Sequence, residues 1–386
     1  MHMQQLSHRA RVLKALNHQE PDKEVGVGIY SEPQRMERHR AFLDKGPADR
    51  PLVGCNIGFF MHEAFPNFVK RLPPGPVTPD MILAEPFLED CERLYQAYRQ
   101  LDDDYPFIAA AFIYVPWTEA IMGCPIATSG TTMWAEPCVN DWGTWRWKKP
   151  SLDSNPWAQK LLELMQALVE HSKGRYPVAP TLMRGPADML SAMRGASRFA
   201  MDFLDCPDAM RRAAALCSEL WIDLGKAQLR LVPRSEQGYF AGAHGLRFWA
   251  PDKSIWLQED AMALLSPRLF REFILPLDDA ISQEFPYVGF HLHGSALWAV
   301  GDLVKVPGLD VIELNMEAAR CDVEATFKGW RKIQENKPLV IWGPYDLEGW
   351  INRVWREFPA QGLSIQTTAA DLVGALEVKA AFASMP

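Results

Sequence analysis

Two histidines one residue apart, in the run Phe290-His291-Leu292-His293-Gly294, are the residues of this 386-residue chain whose spacing most directly suggests chemistry. Side chains in an extended strand alternate between its faces, so residues i and i+2 share one. Both imidazoles then point the same way, while Phe290 and Leu292 pack on the other side. With Glu259 or Asp260 from the preceding apolar run, such a pair supplies three or four ligands for zinc or another divalent ion. The same spacing suits histidines that orient a substrate or are hydrogen-bonded in a core, and the pattern leaves these alternatives open. Glu313-Leu314-Asn315 repeats the geometry on the next run, with Glu313 and Asn315 facing one way. A carboxylate in a largely apolar interior has a raised pKa that suits a general acid or base, and the same carboxylate can instead lock a neighbouring histidine tautomer.

Eight apolar, β-branched or aromatic runs must position these groups: residues 51–58, 107–114, 176–183, 254–259, 287–293, 311–316, 338–342 and 363–367. Between most of them lie amphipathic segments with helical spacing, at residues 157–171, 207–230, 267–284, 323–334 and 347–357. Alternating strand and helix implies a parallel sheet covered on both faces, and eight repeats predict a (β/α)8 TIM barrel. Residues 1–50 read as an N-terminal helical extension, with helices at 7–18 and 33–45, and residues 51–386 as the barrel. The proline-rich 72–79 segment and the Trp-rich 134–157 segment read as loop insertions over the barrel mouth, and a Gly-rich connection at 237–245 has room for a short strand.

In such a barrel the reactive groups sit at the C-terminal ends of strands and in the loops that follow. That rule adds Phe59 and His62, Trp117 and Glu119, Arg184 and Asp188, Trp342 and Tyr345, and Gln366 and Thr367 to the histidines and carboxylates above. Arg184 is placed to clamp an anionic substrate or to pair with a barrel carboxylate. Asp188 stands where it caps a helix. Of the 14 tryptophans several fall on this side, which favours a substrate with an apolar or aromatic body.

The formal net charge of -8 and the lack of a Lys/Arg block argue against nucleic acid and anionic membranes. No apolar run reaches the ~20 residues that cross a bilayer, and the first residues show no secretory pattern, so a cytoplasmic protein is expected. The seven cysteines include no Cys-x-x-Cys pair, which suggests neither a disulfide framework nor a zinc ribbon. No phosphate-cradling glycine loop follows a strand and no G-x-S-x-G elbow is present.

Four segments, RARVLKALNHQEPDK, TLMRGPADMLSAMRGASRFAMDFLDCPDAMRRAA, LQEDAMALLSPRLFREFILPLDDAI and HLHGSALWAVGDLVKVPGLDVIEL, together resemble the uroporphyrinogen decarboxylase superfamily, which includes corrinoid-dependent methyltransferases. The resemblance implies the same barrel. True decarboxylases of the family carry an Arg-rich loop after the first strand, where this chain reads GFFMHEAFPNF. The family's zinc methyltransferases use H-x-C after strand five and a further Cys after strand eight. Here His293 stands where that first Cys would be, and GLSIQTTAADL offers Gln366 and Thr367 instead of the second. Two imidazoles and a carboxylate make a harder, more Lewis-acidic ion than thiolates do, which favours an oxygen substrate.

The reading that follows is a metal-dependent methyltransferase or demethylase. His291, His293 and Glu259 hold the metal; Glu313, Asp260 and Arg184 are catalytic; Phe59, His62, Trp117, Asn315, Trp342, Tyr345 and Gln366 bind substrate. With no D-x-H-x-x-G motif, any corrinoid belongs to a separate partner protein. The alternatives are a metal-free carboxy-lyase acting on a small carboxylated ring, and a barrel that only binds an aromatic ligand. The oligomeric state stays open, a dimer among the options.

Overall fold

The computed structural model describes residues 33–235, 237–242, 246–316 and 322–385. The helix expected at 7–18 lies outside them. Fourteen strands are present among these residues: β1 (Leu52–Ile57), β2 (Gly75–Val77), β3 (Ala109–Ala110), β4 (Ile126–Thr128), β5 (Met133–Ala135), β6 (Val178–Ala179), β7 (Met183–Arg184), β8 (Tyr239–Ala241), β9 (Phe248–Ala250), β10 (Ser254–Gln258), β11 (Tyr287–Leu292), β12 (Val311–Leu314), β13 (Leu339–Trp342) and β14 (Leu363–Ala369). Seven form one parallel sheet in the order β1-β14-β13-β12-β11-β10-β7. Helices between these strands make the crossovers that parallel pairing requires, the longest being Ala84–Leu101, Pro156–Ser172 and Pro207–Leu231.

Their starts are written in the sequence. Pro occupies the first helical position at Pro156, Pro186, Pro207 and Pro267, where its missing N–H costs nothing. Asn155, Asp322 and Asp371 accept N–H groups of the first turn that would otherwise lack partners.

Register fixes which side chains face inward. Leu52, Gly54 and Asn56 of β1 pair with Ser364, Gln366 and Thr368 of β14, and Trp256 and Gln258 of β10 with Gly289 and His291 of β11. The alternate residues Cys55, Ile57, Ile255, Leu257, Phe290, Leu292 and Ile312 join the large core shared with the helices. A smaller inner core gathers Leu52, Ile108, Ala179, Trp256, Val311 and Val340, so β1, β6, β10, β12 and β13 all contribute to it. Gly289 makes room for the Trp256 indole, which a Cβ would approach to 2.5 Å. This is a TIM-barrel-like α/β fold.

Backbone hydrogen bonding among the described residues does not run fully around it. The segment expected as a strand at 107–114 pairs only through Ala109 and Ala110, with Val178 and Ala179 of β6. The open edge of β1 is satisfied by side chains instead. The Val53 N–H donates to Asp104 (2.8 Å), the Cys55 N–H to Asp103 (2.8 Å) and the Ile57 N–H to the Tyr98 hydroxyl (3.3 Å). Outside the parallel sheet, β2 from the proline-rich segment pairs with β4, and β4 with β5, in a separate antiparallel sheet. No helix among the described residues is long and apolar enough to cross a membrane.

Candidate functional site

Parallel register across β10, β11 and β12 places Gln258, His291 and Glu313 side by side. Two residues further along, where the chain leaves the sheet, the same faces carry Asp260, His293 and Asn315. Strand periodicity thus builds two polar tiers. Within the first tier His291 Nδ1 bonds to Glu313 Oε2. Within the second Asn315 Nδ2 lies 2.9 Å from His293 Nδ1. Between the tiers the two Nε2 atoms face each other at 3.0 Å, and the Gln258 amide donates to Asp260 Oδ2.

Asp260 Oδ1 completes a triangle, 3.3 Å from His293 Nε2 and 3.7 Å from His291 Nε2. Tetrahedral ligands ~2.1 Å from a zinc ion stand ~3.4 Å from one another, and the three separations of 3.0, 3.3 and 3.7 Å bracket that value. The residues therefore fit a divalent ion, with each Nδ1 already engaged by a group that orients its ring. Two arrangements satisfy the Asn315 contact. The amide nitrogen can donate to a bare Nδ1, which leaves its oxygen buried without a partner. With the amide turned over, Nδ1–H donates to the oxygen and the lone pair lies on Nε2, the atom a metal would use.

Burial alone would lower the pKa of His291, but the Glu313 charge and hydrogen bond outweigh it and raise it to about 9. Burial also pushes Glu313 above the usual carboxylate range, against the pull of His291. Both directions describe one shared proton in a dry site. Each partner's charge favours the ionised form of the other, against the burial of both. Glu313 is fully buried, and its second oxygen has no hydrogen-bond partner.

A layer of carboxylates supports the turn that carries Asp260. Glu259 Oε2 accepts the N–H groups of Ala187 and Asp188, at 2.9 and 3.4 Å, at the start of the Pro186–Arg194 helix. Asp188 returns the contact by accepting the Ala261 N–H at 2.6 Å. Burial, and then the Asp278 charge, raises Glu259 well above its ordinary value; burial, and then Asp260, does the same for Asp188. Arg184, at the end of β7, pairs with the buried Glu119 at 3.0 Å.

The sequence-derived residues divide clearly. The structure brings His291, His293, Asp260, Glu313 and Asn315 together. Glu259, expected as a metal ligand, is occupied with the helix start, and Asp260 takes the place beside the imidazoles. Trp117 is core: its Nε1–H donates to the Phe112 carbonyl and its ring meets Trp157 edge-on. Gln366 is buried and tied to Arg247 by two hydrogen bonds of 3.1 and 2.8 Å. Phe59 lies 5.2 Å from the Trp342 ring, an aromatic pair at the end of β1 and β13, with Tyr345 exposed beyond. His62 is exposed and stacks on Phe60. Residue-type reasoning passed over Gln258 and Arg247. Counting by twos from Trp256 finds Gln258; Arg247 leaves only the faint signal of one cation in an apolar stretch.

No protein-family profile matches this chain, and no curated protein matches its sequence. Among solved structures, a methyltransferase from Methanosarcina mazei superposes with a TM-score of 0.60 at 17% identity, covering 90% of this chain and 97% of that one. At that identity the likeness speaks for the fold.

Proposed function

We propose that the chain is a metal-assisted methyltransferase or demethylase of the uroporphyrinogen decarboxylase superfamily, acting on a small substrate with an apolar or aromatic body. One observation carries the reading: His291 Nε2, His293 Nε2 and Asp260 Oδ1 converge while both Nδ1 atoms are engaged from behind. The fold shared with a methyltransferase supports it. His291, His293 and Asp260 would hold the ion, which supplies Lewis acidity toward a methoxy or similar oxygen. Zinc suits this donor set, and a corrinoid on a separate partner protein is the methyl acceptor or donor that the reading calls for.

The chain's own residues set up that chemistry. Glu313 holds a proton at His291 Nδ1 and so keeps Nε2 directed at the site. Phe59 and Trp342 form an apolar wall that excludes water from a bound ring. Arg184 is half-exposed and tethered by one bond to Glu119, so part of its guanidinium can receive a substrate anion.

A second reading draws on the imidazolium that the Glu313 carboxylate favours at His291. In a metal-free carboxy-lyase that imidazolium, backed by Glu313, would protonate an electron-rich ring while Arg184 grips the carboxylate. Elemental analysis of protein purified without chelator, followed by zinc titration, separates the two. Methyl transfer from a methoxylated aromatic to free cob(I)alamin, followed as loss of cob(I)alamin absorbance, tests the reaction itself. Absence of bound or bindable metal would end the first reading, and steady turnover of uroporphyrinogen would end the choice of branch.

A further inference from the structure

Cys124 and Cys138 bring their sulfurs to 3.5 Å. They flank the β4–β5 hairpin, Cys124 just before Ile126 and Cys138 just after Ala135. The ladder continues toward them, since the Glu136 N–H donates to the Pro125 carbonyl at 2.7 Å. The pair therefore stands at the base of a closed loop, where a covalent link requires little backbone movement. The two thiols differ in access. Cys124 is buried, whereas Cys138 is partly exposed. The thiol–thiol hydrogen bond holds Cys138 below the ordinary thiol range and pushes Cys124 above it. A reachable, more acidic thiol backed by a protected one is the arrangement that thiol–disulfide exchange uses.

We propose that Cys124 and Cys138 form a reversible thiol–disulfide site that reacts with low-molecular-weight disulfides and staples the base of the β4–β5 hairpin. The Cys138 thiolate attacks one sulfur of the disulfide RSSR, forming a Cys138–S–S–R bond and expelling RS⁻. Cys124 then gives up its proton and attacks the Cys138 sulfur, releasing the second RS⁻. Two protein thiols are oxidised, RSSR is reduced to two RSH, and two electrons pass between them. The staple joins an element tied to the candidate site. The Cys138 and Val139 N–H groups donate to the Met193 carbonyl, at 3.0 and 2.9 Å, in the helix whose first turn Glu259 caps.

The test treats the folded protein with excess oxidised glutathione and reads intact mass and peptide maps. The proposal expects a loss of about 2 Da, a Cys124–Cys138 peptide, and reversal by dithiothreitol. Cys124→Ser should trap glutathione on Cys138, a gain of about 305 Da, because no resolving thiol remains; Cys138→Ser should leave Cys124 unmodified. Should the serine variants misfold, brief alkylation of the wild type serves instead: Cys138 should label first, and prior oxidation should protect both cysteines. Pairing of Cys138 with Cys217, equal labelling of Cys124 and Cys138, or a cross-link that forms only in denaturant would overturn the proposal.

Discussion

At the scale of single residues the decisive contact joins His291 to Glu313, because a buried imidazole keeps a proton only beside a buried charge. Glu313→Gln keeps an acceptor for Nδ1–H but removes the charge, so metal affinity measured above pH 9, where no proton competes for His291, should fall about 10- to 100-fold with the ligands still in place. Competition with a chromogenic chelator measures this, and unchanged affinity would remove Glu313 from the site. His291→Ala and His293→Ala should lose the metal outright, and His291→Ala should also lose stability because it leaves the buried Glu313 carboxylate unpaired. The pH dependence follows from the same pair. In the metal-free protein His291 holds its proton up to about 9, so an ion must displace it throughout the neutral range. Apparent zinc affinity should then rise about tenfold per pH unit up to that value, and a flat profile between pH 6 and 8 would contradict the protonation state. His291, His293, Glu313 and Asn315 were legible because a period of two needs no tertiary knowledge. The choice between Glu259 and Asp260 was legible only in part. Parity from Trp256 and Gln258 favours Asp260, yet Glu259 lies in a turn with φ -141 and ψ 64, where strand counting no longer guarantees a direction.

Among the elements, the Pro186–Arg194 helix and the turn at Glu259 to Ala261 hold each other by reciprocal capping, and Gly185 is the hinge between them. A Cβ there would meet Glu259 Oε1 at 2.3 Å and the backbone oxygen of Gln258 at 2.7 Å. The backbone atom cannot move aside cheaply, so Gly185→Ala should lose about 1–3 kcal/mol of stability. It should also weaken zinc binding, since Asp260 follows the displaced Glu259. Urea unfolding paired with chelator competition tests both; a variant of wild-type stability and affinity would show that the interlock does not position Asp260. The long crossover helices were legible from spacing, Pro at the first turn and polar caps. The strand at residues 107–114 was not. Its residues are apolar enough for a buried strand, but the segment forms only two residues of ladder, and the neighbouring edge is satisfied by Asp103, Asp104 and Tyr98. Nothing in a hydrophobic pattern distinguishes a strand partner from a row of side-chain acceptors.

For the whole molecule, that seam decides how the sheet tolerates acid. Burial works against ionisation of Asp104, but Arg50 and the Val53 N–H outweigh it and hold its pKa below the usual carboxylate range. His39, on the helix Pro33–Leu43 that covers the seam, donates Nε2–H to the Asp104 carbonyl at 2.8 Å and packs edge-on to Tyr105 and Phe240. Burial lowers the pKa of His39 to about 4, so the folded protein resists its protonation. The unfolded chain binds that proton near 6.5, and the stability contributed above 6.5 is therefore lost as pH falls toward 4. Asp103 works in the opposite sense. Burial raises it to about 6 from 3.8, so its contribution is present below 3.8 and lost as pH rises through 6. The two opposing slopes overlap between pH 4 and 6 and mask each other in the wild type. His39→Phe keeps the ring packing and removes one slope. Its stability relative to wild type should improve by roughly 3 kcal/mol between pH 7 and 4, the 2.5-unit shift at ~1.36 kcal/mol per unit. Urea denaturation at several pH values across that window makes the comparison, and parallel curves for the two proteins would mean that His39 takes up its proton as readily in the folded protein as in the unfolded chain.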